Sequence, residues 1–351
     1  MARPGGTRIE ARPLVYAILS TALFGISPPV AKVLLEDLDP VALAGLLYLG
    51  AFIGLTIVSI MRPSRSSAPL ERKDAPWLAG AILAGGVLAP VALMIGLTMV
   101  SGLAGSLLTN LEGVATALIA VIVFREYAGR RLWFALAVMT LAGVLLSWDP
   151  SGGTIDPLGP LLIVLAMVCW GVDNNLTRQI SGKDPVRIAQ LKGLIAGSFS
   201  LSVAVLLGVR LSLTPPLFLA LLLGALSYGI SLVLFIKALE GLGSSRTGAF
   251  FSLGPFVGAV VAVLFLNDPL TPPLLAAAAL MALGVYAIMA ERHGHSHRHE
   301  RMTHTHAHEH DMHHRHGHDG EGAHSHEHVH PEMVHSHVHW PDEHHRHEHD
   351  D

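Results

Sequence analysis

Glu112 poses the first chemical question in this sequence, because it stands near the middle of an apolar run beside Thr109 and Asn110. A charged side chain at the centre of a bilayer costs at least about 2.5 to 3.5 kcal/mol on insertion scales, so it faces a partner or a wet cavity. A carboxyl there can hold a proton or the cationic end of a solute. The competing role is structural, a carboxylate paired with a basic residue such as Lys192.

Asp173-Asn174-Asn175 form a second polar cluster in another apolar run. Consecutive helical residues point about 100° apart, so the three cannot all face one cavity; Asp173 with Arg178 can instead mark a helix end. Gln190 and Lys192 lie two apart near the start of the next run, where Lys192 can attract an anionic group, and Tyr228 and Ser252 complete the polar candidates. Lys237 reads as a snorkelling end residue or a partner of Glu240. Pro28 and Pro29 remove backbone donors, and with Pro255 they mark places where a helix can break and offer its carbonyls to a solute.

A different chemistry fills the C-terminal segment. All 23 histidines lie at or beyond His293, mostly as His-x-His. The candidate metal ligands are His295, His297, His299, His304, His306, His308, His310, His324, His326, His328, His330, His335, His337, His339, His344, His345 and His347. Imidazole suits Zn, Ni, Cu and Co, and alternating histidines of an extended chain can give two ligands to one ion. The segment has few aliphatic residues and is expected to be disordered when free. Titration of so many imidazoles near pH 6.5 would also make it a pH-sensitive element.

The elements that position these groups follow from composition. The 351 residues are 51% hydrophobic and 14% charged, with a mean hydropathy of +0.49; a soluble globular protein is about 25% charged. The charge splits at residue 292 into +4 before and −8 after. With one cysteine, Cys169, an intramolecular disulfide and a cysteine zinc ribbon are excluded.

Apolar runs near spanning length occur at 13–35, 40–61, 76–100, 102–124, 132–148, 157–179, 186–209, 214–239, 247–266 and 270–290. The expected fold class is therefore all-α integral membrane with ten transmembrane helices; the first run reads as a retained helix rather than a signal peptide. Sixteen Lys and Arg fall on the side of the N-terminus against two on the other, which predicts a cytoplasmic N-terminus and tail in a cytoplasmic membrane.

The two halves resemble each other at a shift of about 145 residues: Phe24-Gly25 matches Trp170-Gly171, Asp39-Pro40-Val41 matches Asp184-Pro185-Val186, and 111–126 matches 253–268, with Glu126 facing Asp268 as fold or gating residues. Five helices per half is odd, so the second half enters from the opposite side. That makes an inverted repeat of the kind found in secondary transporters. The expected domains are 1–12, two five-helix repeats at 13–148 and 157–290, and the tail at 293–351. Close glycines, Gly193 with Gly197 and Gly254 with Gly258, read as helix-packing positions.

The run from Leu111 to Glu126, followed by Arg130-Arg131 and the Gly143 helix, resembles EamA-type permeases of the drug/metabolite transporter (DMT) superfamily, and Leu253-Gly-Pro-Phe to Asn267-Asp268 looks like the second copy. Gly113 stands where the family often has proline, kept in the second half as Pro255, and Leu47 stands where a basic residue is common, matched by Lys192. The resemblance implies a ten-helix secondary active permease that moves small organic metabolites. The function expected is alternating-access export of a small polar or amino-acid-like solute, with protons as candidate coupling ion and a metal-binding regulatory tail. Two rivals stay open, a Ni, Co or Zn exporter whose tail collects cargo and a non-transporting metal store. The expected partners are the lipid bilayer, the solute and transition-metal ions, with a homodimer open; nucleic acid is disfavoured by the acidic tail. The sequence shows no nucleophile–base pair, phosphate loop or cofactor motif, so no enzyme is expected and no cofactor is required.

Overall fold

The computed structural model describes residues 11–61, 69–124, 129–146, 157–242 and 244–289, with the backbone of 293–299, 302–308, 324–330 and 333–339. The first half runs α1 (Ala11–Gly25), α2 (Ser27–Leu34), α3 (Pro40–Met61), α4 (Ala75–Ala81), a π-helical segment Ile82–Leu88, α5 (Ala89–Met99), α6 (Gly102–Leu108), α7 (Leu111–Phe124) and α8 (Arg130–Leu146). The second half runs α9 (Leu158–Arg178), α10 (Pro185–Leu206), α11 (Pro215–Gly224), a π-helical segment Ala225–Ile230, α12 (Ser231–Leu242), α13 (Ser244–Phe251), α14 (Gly254–Phe265) and α15 (Pro272–Met289).

Among the described residues eight helical stretches are long and apolar enough to cross a membrane, from Arg12–Leu34 to Arg246–Phe265. Two further apolar helices are shorter among the described residues: α8 has 17 residues, and the apolar stretch in α15 runs Pro272–Ala287. Helices apolar on every side need an apolar solvent, and the outer faces carry bare side chains such as Ile122, Val123, Leu264 and Phe265. Where water is absent every backbone group must be paired within the protein, which is why such spans are helical.

Local sequence sets the ends. Asp39 Oδ1 accepts from the amides of Val41 and Ala42 at 2.9 and 3.1 Å, and Asp184 Oδ1 accepts from Val186 and Arg187 at 2.9 and 3.3 Å. In both, the next residue is a proline at the first helical position, where its missing N–H costs nothing. The two π segments begin at Ile82 and Ala225, in matching places of the two halves. Single breaks divide α1 from α2 at Ile26, α6 from α7 at Thr109–Asn110 and α13 from α14 at Ser252–Leu253. Pro28 and Pro29 begin α2 and Pro255 begins α14, all three buried.

Packing between halves is reciprocal. Helix α3 lies on α10 and α8 on α15, while α1 packs on α12 and α14 as α9 packs on α5 and α7. Glycines let backbones meet: a Cβ on Gly197 would stand 2.7 Å from the Leu49 nitrogen, and one on Gly193 would stand 2.8 Å from the Tyr48 carbonyl oxygen. A buried apolar core runs through both halves, from Leu43 and Leu47 to Met139, Ile163, Met167 and Met281.

Among the described residues the tail contributes four short strands. β1 (His293–His299), β2 (Met302–His308), β3 (His324–His330) and β4 (Met333–His339) are strands, with β1 antiparallel to β4 and β2 to β3. Disorder was expected there; over these segments the alternation of His with other residues has the period of a strand, two, and suits extended backbone.

Outside the spans, Lys183 donates to Glu71 Oε1 at 2.6 Å and to the Pro69 carbonyl at 2.9 Å, and lies 3.4 Å from Asp74 Oδ2. The Lys183 ammonium, with help from Lys73, holds the Glu71 carboxyl below its ordinary 4.5, and Glu71 holds Lys183 above its ordinary 10.5. The Glu71 contribution is present above 4.5 and is lost as pH falls through the lowered value, and that of Lys183 is lost as pH rises through its raised value. Amide-exchange protection of residues 70–74, corrected for intrinsic rates, is expected to fall on acidification below 4.5, and Lys183→Met is expected to diminish that acid step. For the close helix crossing, Gly197→Leu is expected to cost about 1–3 kcal/mol by overpacking, read as a lower melting temperature in detergent. Gly182→Ala, with open space at its Cβ, is expected to leave it unchanged.

Candidate functional site

Helix α9 distributes its polar residues over two faces. Trp170, Asp173 and Thr177, three and four apart, share one face, and Gly171, Asn174, Asn175 and Arg178 lie on the adjoining one. The 100° step between neighbours separates Asp173 from the two asparagines.

On the first face Lys192 of α10 donates to Asp173 Oδ1 and Oδ2 at 2.6 and 2.5 Å, and the Thr177 hydroxyl donates to Oδ1 at 2.9 Å. Asp173 is 5% exposed. Its carboxylate lies directly on the Cα of Gly85, where a Cβ would overlap Oδ2. Gly85 belongs to the first π segment. Its carbonyl accepts from the Tyr48 hydroxyl at 2.5 Å and from the Trp170 indole N–H at 3.0 Å. π segments recur at functional sites because they disturb the regular ladder of backbone bonds. Tyr48 then faces Tyr228 of the second π segment, ring centroids 6.0 Å apart, and Tyr228 meets Phe24 at 5.9 Å. The Tyr228 hydroxyl is 3.5 Å from Ser27 Oγ.

On the second face a cleft of about 400 Å³ opens between α7 and α9, lined by Glu112, Gly113, Thr116, Ala117, Ala120, Asn174, Asn175 and Arg178. Asn174 Nδ2 donates to Glu112 Oε1 at 2.9 Å and to Thr116 Oγ1 at 3.1 Å. Asn175 Nδ2 donates to the carbonyls of Thr116 and Gly171 at 3.0 and 2.8 Å. Gly113 has open space where a side chain would begin. Among the described residues Glu112 forms no ion pair. The Glu112–Lys192 pair weighed from sequence is replaced by Asp173–Lys192, because α10 presents Lys192 to α9 rather than to α7. The helix-end role weighed for Asp173 gives way to the same buried pair.

Other candidates lie elsewhere. Thr109 Oγ1 donates to the Ser106 carbonyl at 2.6 Å, and Asn110 Nδ2 to Met281 Sδ at 3.7 Å, so both close the α6–α7 break against its own surroundings. Gln190 donates to Thr56 and Ser59 at 3.4 and 3.2 Å and ties α10 to α3. Ser252 Oγ donates to the Ala249 carbonyl at 2.8 Å beside the α13–α14 break. Lys237 stands 5.6 Å from the Tyr16 ring centroid, a cation–π contact; the Glu240 side chain lies outside the described residues. Asp268 Oδ2 accepts from the Leu103 amide at 2.7 Å and caps α6, while Glu126 lies outside the described residues. Among the described residues no three His, Cys, Asp or Glu side chains gather to hold a metal. The tail side chains, and all of His310, His344, His345 and His347, lie outside them.

Tyr48, Gly85, Trp170, Thr116 and Thr177 were not singled out from sequence. Trp170 and Tyr48 carried a signal, since an aromatic with a donor in an apolar run seeks an acceptor.

Removing one partner of a buried ion pair strands the other charge, at about 3–5 kcal/mol. Lys192→Met alone is expected to lower thermal stability more than the double variant Asp173→Leu with Lys192→Met, measured by melting in detergent. A loss in the double variant equal to the sum of the losses of the two single variants would show that the two side chains are not coupled.

The comparisons agree with this architecture. The EamA-like transporter family matches twice, over residues 11–148 and 157–290. A protein of Methanothermobacter thermautotrophicus described as an uncharacterized transporter is 27% identical over 272 residues, covering 73% of this chain and 79% of that one. A solved crystal structure covers 80% of this chain and 99% of its own, with a TM-score of 0.59 at 18% identity, which shows a shared fold. The chain is a multi-pass membrane protein that belongs to the EamA-like transporter family.

Proposed function

We propose that this chain is a secondary active permease that exports a small polar or amino-acid-like solute by alternating access. Its halves act as two five-helix inverted repeats with ten membrane crossings, and both termini are cytoplasmic. The observation that carries the reading is the Glu112 cleft: a carboxylate in a membrane-spanning helix, bonded to Asn174, without an ion pair among the described residues, and beside open space at Gly113. Such a carboxylate can take a solute ammonium, or a proton in exchange for it. The reciprocal packing of the halves supports the repeat, and the bias of Lys and Arg supports the orientation. The tail binds divalent metal and regulates transport.

The 23 histidines favour a second reading, a Ni, Co or Zn exporter whose tail collects the ion. Against it, residues 1–292 contain no histidine and one cysteine, a poor pathway for ions that prefer nitrogen and sulfur.

Efflux from proteoliposomes carrying the full chain, or a chain ending at Arg292, decides between them with labelled amino acids beside labelled nickel, cobalt and zinc. We expect both chains to move an amino-acid-like solute and neither to move metal. Glu112→Gln is expected to cut solute flux at least tenfold with folding intact. Metal flux weakened by truncation would replace this reading with the exporter.

A further inference from the structure

The tail histidines are the one chemistry-bearing group that a solute cleft leaves without a place. Antiparallel pairing sets His293, His295 and His297 opposite His339, His337 and His335. In the second ladder His304, His306 and His308 are set opposite His328, His326 and His324. Both ladders reflect about one residue, His316, so they share a single hairpin register.

The register is chemically selective. Histidines fall on odd positions in β1 and β4 and on even positions in β2 and β3, so the change of phase between β1 and β2 is matched by that between β3 and β4. The two remaining strand histidines, His299 and His330, are set opposite Met333 and Met302, whose thioethers are also metal ligands. Every strand histidine is thus opposite a histidine or a methionine. A slip by one residue would set His295 opposite Ser336 or Val338 and undo all of these pairs, since strand positions alternate between faces.

Residues directly opposite in such a ladder have Cβ atoms about 4.5–5.5 Å apart, and alternate positions along a strand share a face about 6.6 Å apart. Two adjacent rungs therefore collect four imidazole-bearing positions on one face, a ligand set suited to a tetrahedral divalent ion. A bare two-stranded ribbon is marginal in water. A cross-strand metal would supply what the ribbon lacks, since binding free energy becomes folding free energy when the site forms only in the folded state.

We propose that a divalent transition metal, zinc being the test case, binds between adjacent rungs and closes the tail into this hairpin. One site is His295 and His297 with His335 and His337, and another is His304 and His306 with His326 and His328. The proposal rests on the metal-binding reading of the tail and adds to it a fold and a register.

The test uses the full chain in nanodiscs with Cys169→Ser, which leaves no native cysteine. Nitroxides are placed at Ser296→Cys and Ser336→Cys, a facing pair at positions that alternate with the histidines. Distances are read by pulsed dipolar spectroscopy with and without zinc, and bound zinc is counted by chelator competition against a chain ending at Arg292. The expected result is tail-dependent zinc binding with the broad 296–336 distribution collapsing to one short distance. A second pair, Ser296→Cys with Ser325→Cys, should sharpen near about 36 Å, eleven rungs along the ribbon. Alanine at all eight histidines of the two sites together should abolish the collapse at 296–336. Zinc bound by the tail with no collapse overturns the hairpin and leaves the metal-binding reading standing. Zinc binding unchanged by truncation at Arg292 overturns both.

Discussion

The ion pair between Lys192 and Asp173 constrains this fold more than any other contact. Either charge alone is costly in a membrane span, and α9 and α10 take the rotation that lets the two meet. Asp173 then needs a neighbour without a side chain, and Gly85 provides it. Gly85 sits in a π segment, and its carbonyl is claimed by Tyr48 and Trp170. One ammonium–carboxylate contact therefore couples α3, the first π segment, α9 and α10. Because α9 is turned by that contact, its adjoining face delivers Asn174 to Glu112 and Thr116. The cleft lies on the adjoining face of α9, about 100° around the helix from the pair.

The sequence made the scaffold legible where local rules sufficed. Asp39-Pro40 and Asp184-Pro185 announce helix starts by capping chemistry, and both cap as a side-chain oxygen before an N-terminal proline must. Gly25 and Gly171, matched across the halves, take up matching close approaches, Gly25 to the Gly254 backbone and Gly171 to that of Ala115 and Thr116. What escaped depends on contacts between distant residues. The partner of Lys192 cannot be read from spacing, because Asp173 and Glu112 are both acidic and both plausible from one dimension. Thr109 and Asn110 flank Glu112 in sequence, yet a break in the helix turns them to Ser106 and Met281. The π segments escaped because Ile82–Leu88 and Ala225–Ile230 are as apolar as any helix and differ only in how their backbone bonds are shared.

The halves are alike in backbone and unlike in charge. The residue that matches Lys192 is Leu47, and Tyr228 matches Gly85 to within the register of the π segments. Where the second half places Asp173 against Gly85, the first places Ser27 near the Tyr228 hydroxyl, a weak neutral contact at 3.5 Å. A duplicated scaffold with duplicated charges would bury two ion pairs and pay desolvation twice. Keeping the charge on one side leaves the other interface neutral, with edge-on and tilted aromatic contacts of Phe24, Tyr48 and Tyr228 in place of ionic contact.

That inequality bears directly on transport. Alternating access asks one scaffold for two conformations of similar free energy, and an ion pair resists separation far more than a serine–tyrosine contact or aromatic contacts do. In the proposed cycle, motion of one half against the other would concentrate where Ser27, Tyr228 and the aromatic rings meet, with Lys192, Asp173 and the first π segment moving together. Glu112 stands on α7, across the cleft from α9, and is joined to it by the single Asn174 amide and by the bonds of that amide and Asn175 to Thr116. Those are neutral donors, so the α7–α9 contact can be remade at low cost when a solute cation or a proton takes the carboxylate. Rigid ionic packing beneath the cleft and exchangeable amide contacts along its wall give the two mechanical properties that the proposed cycle requires.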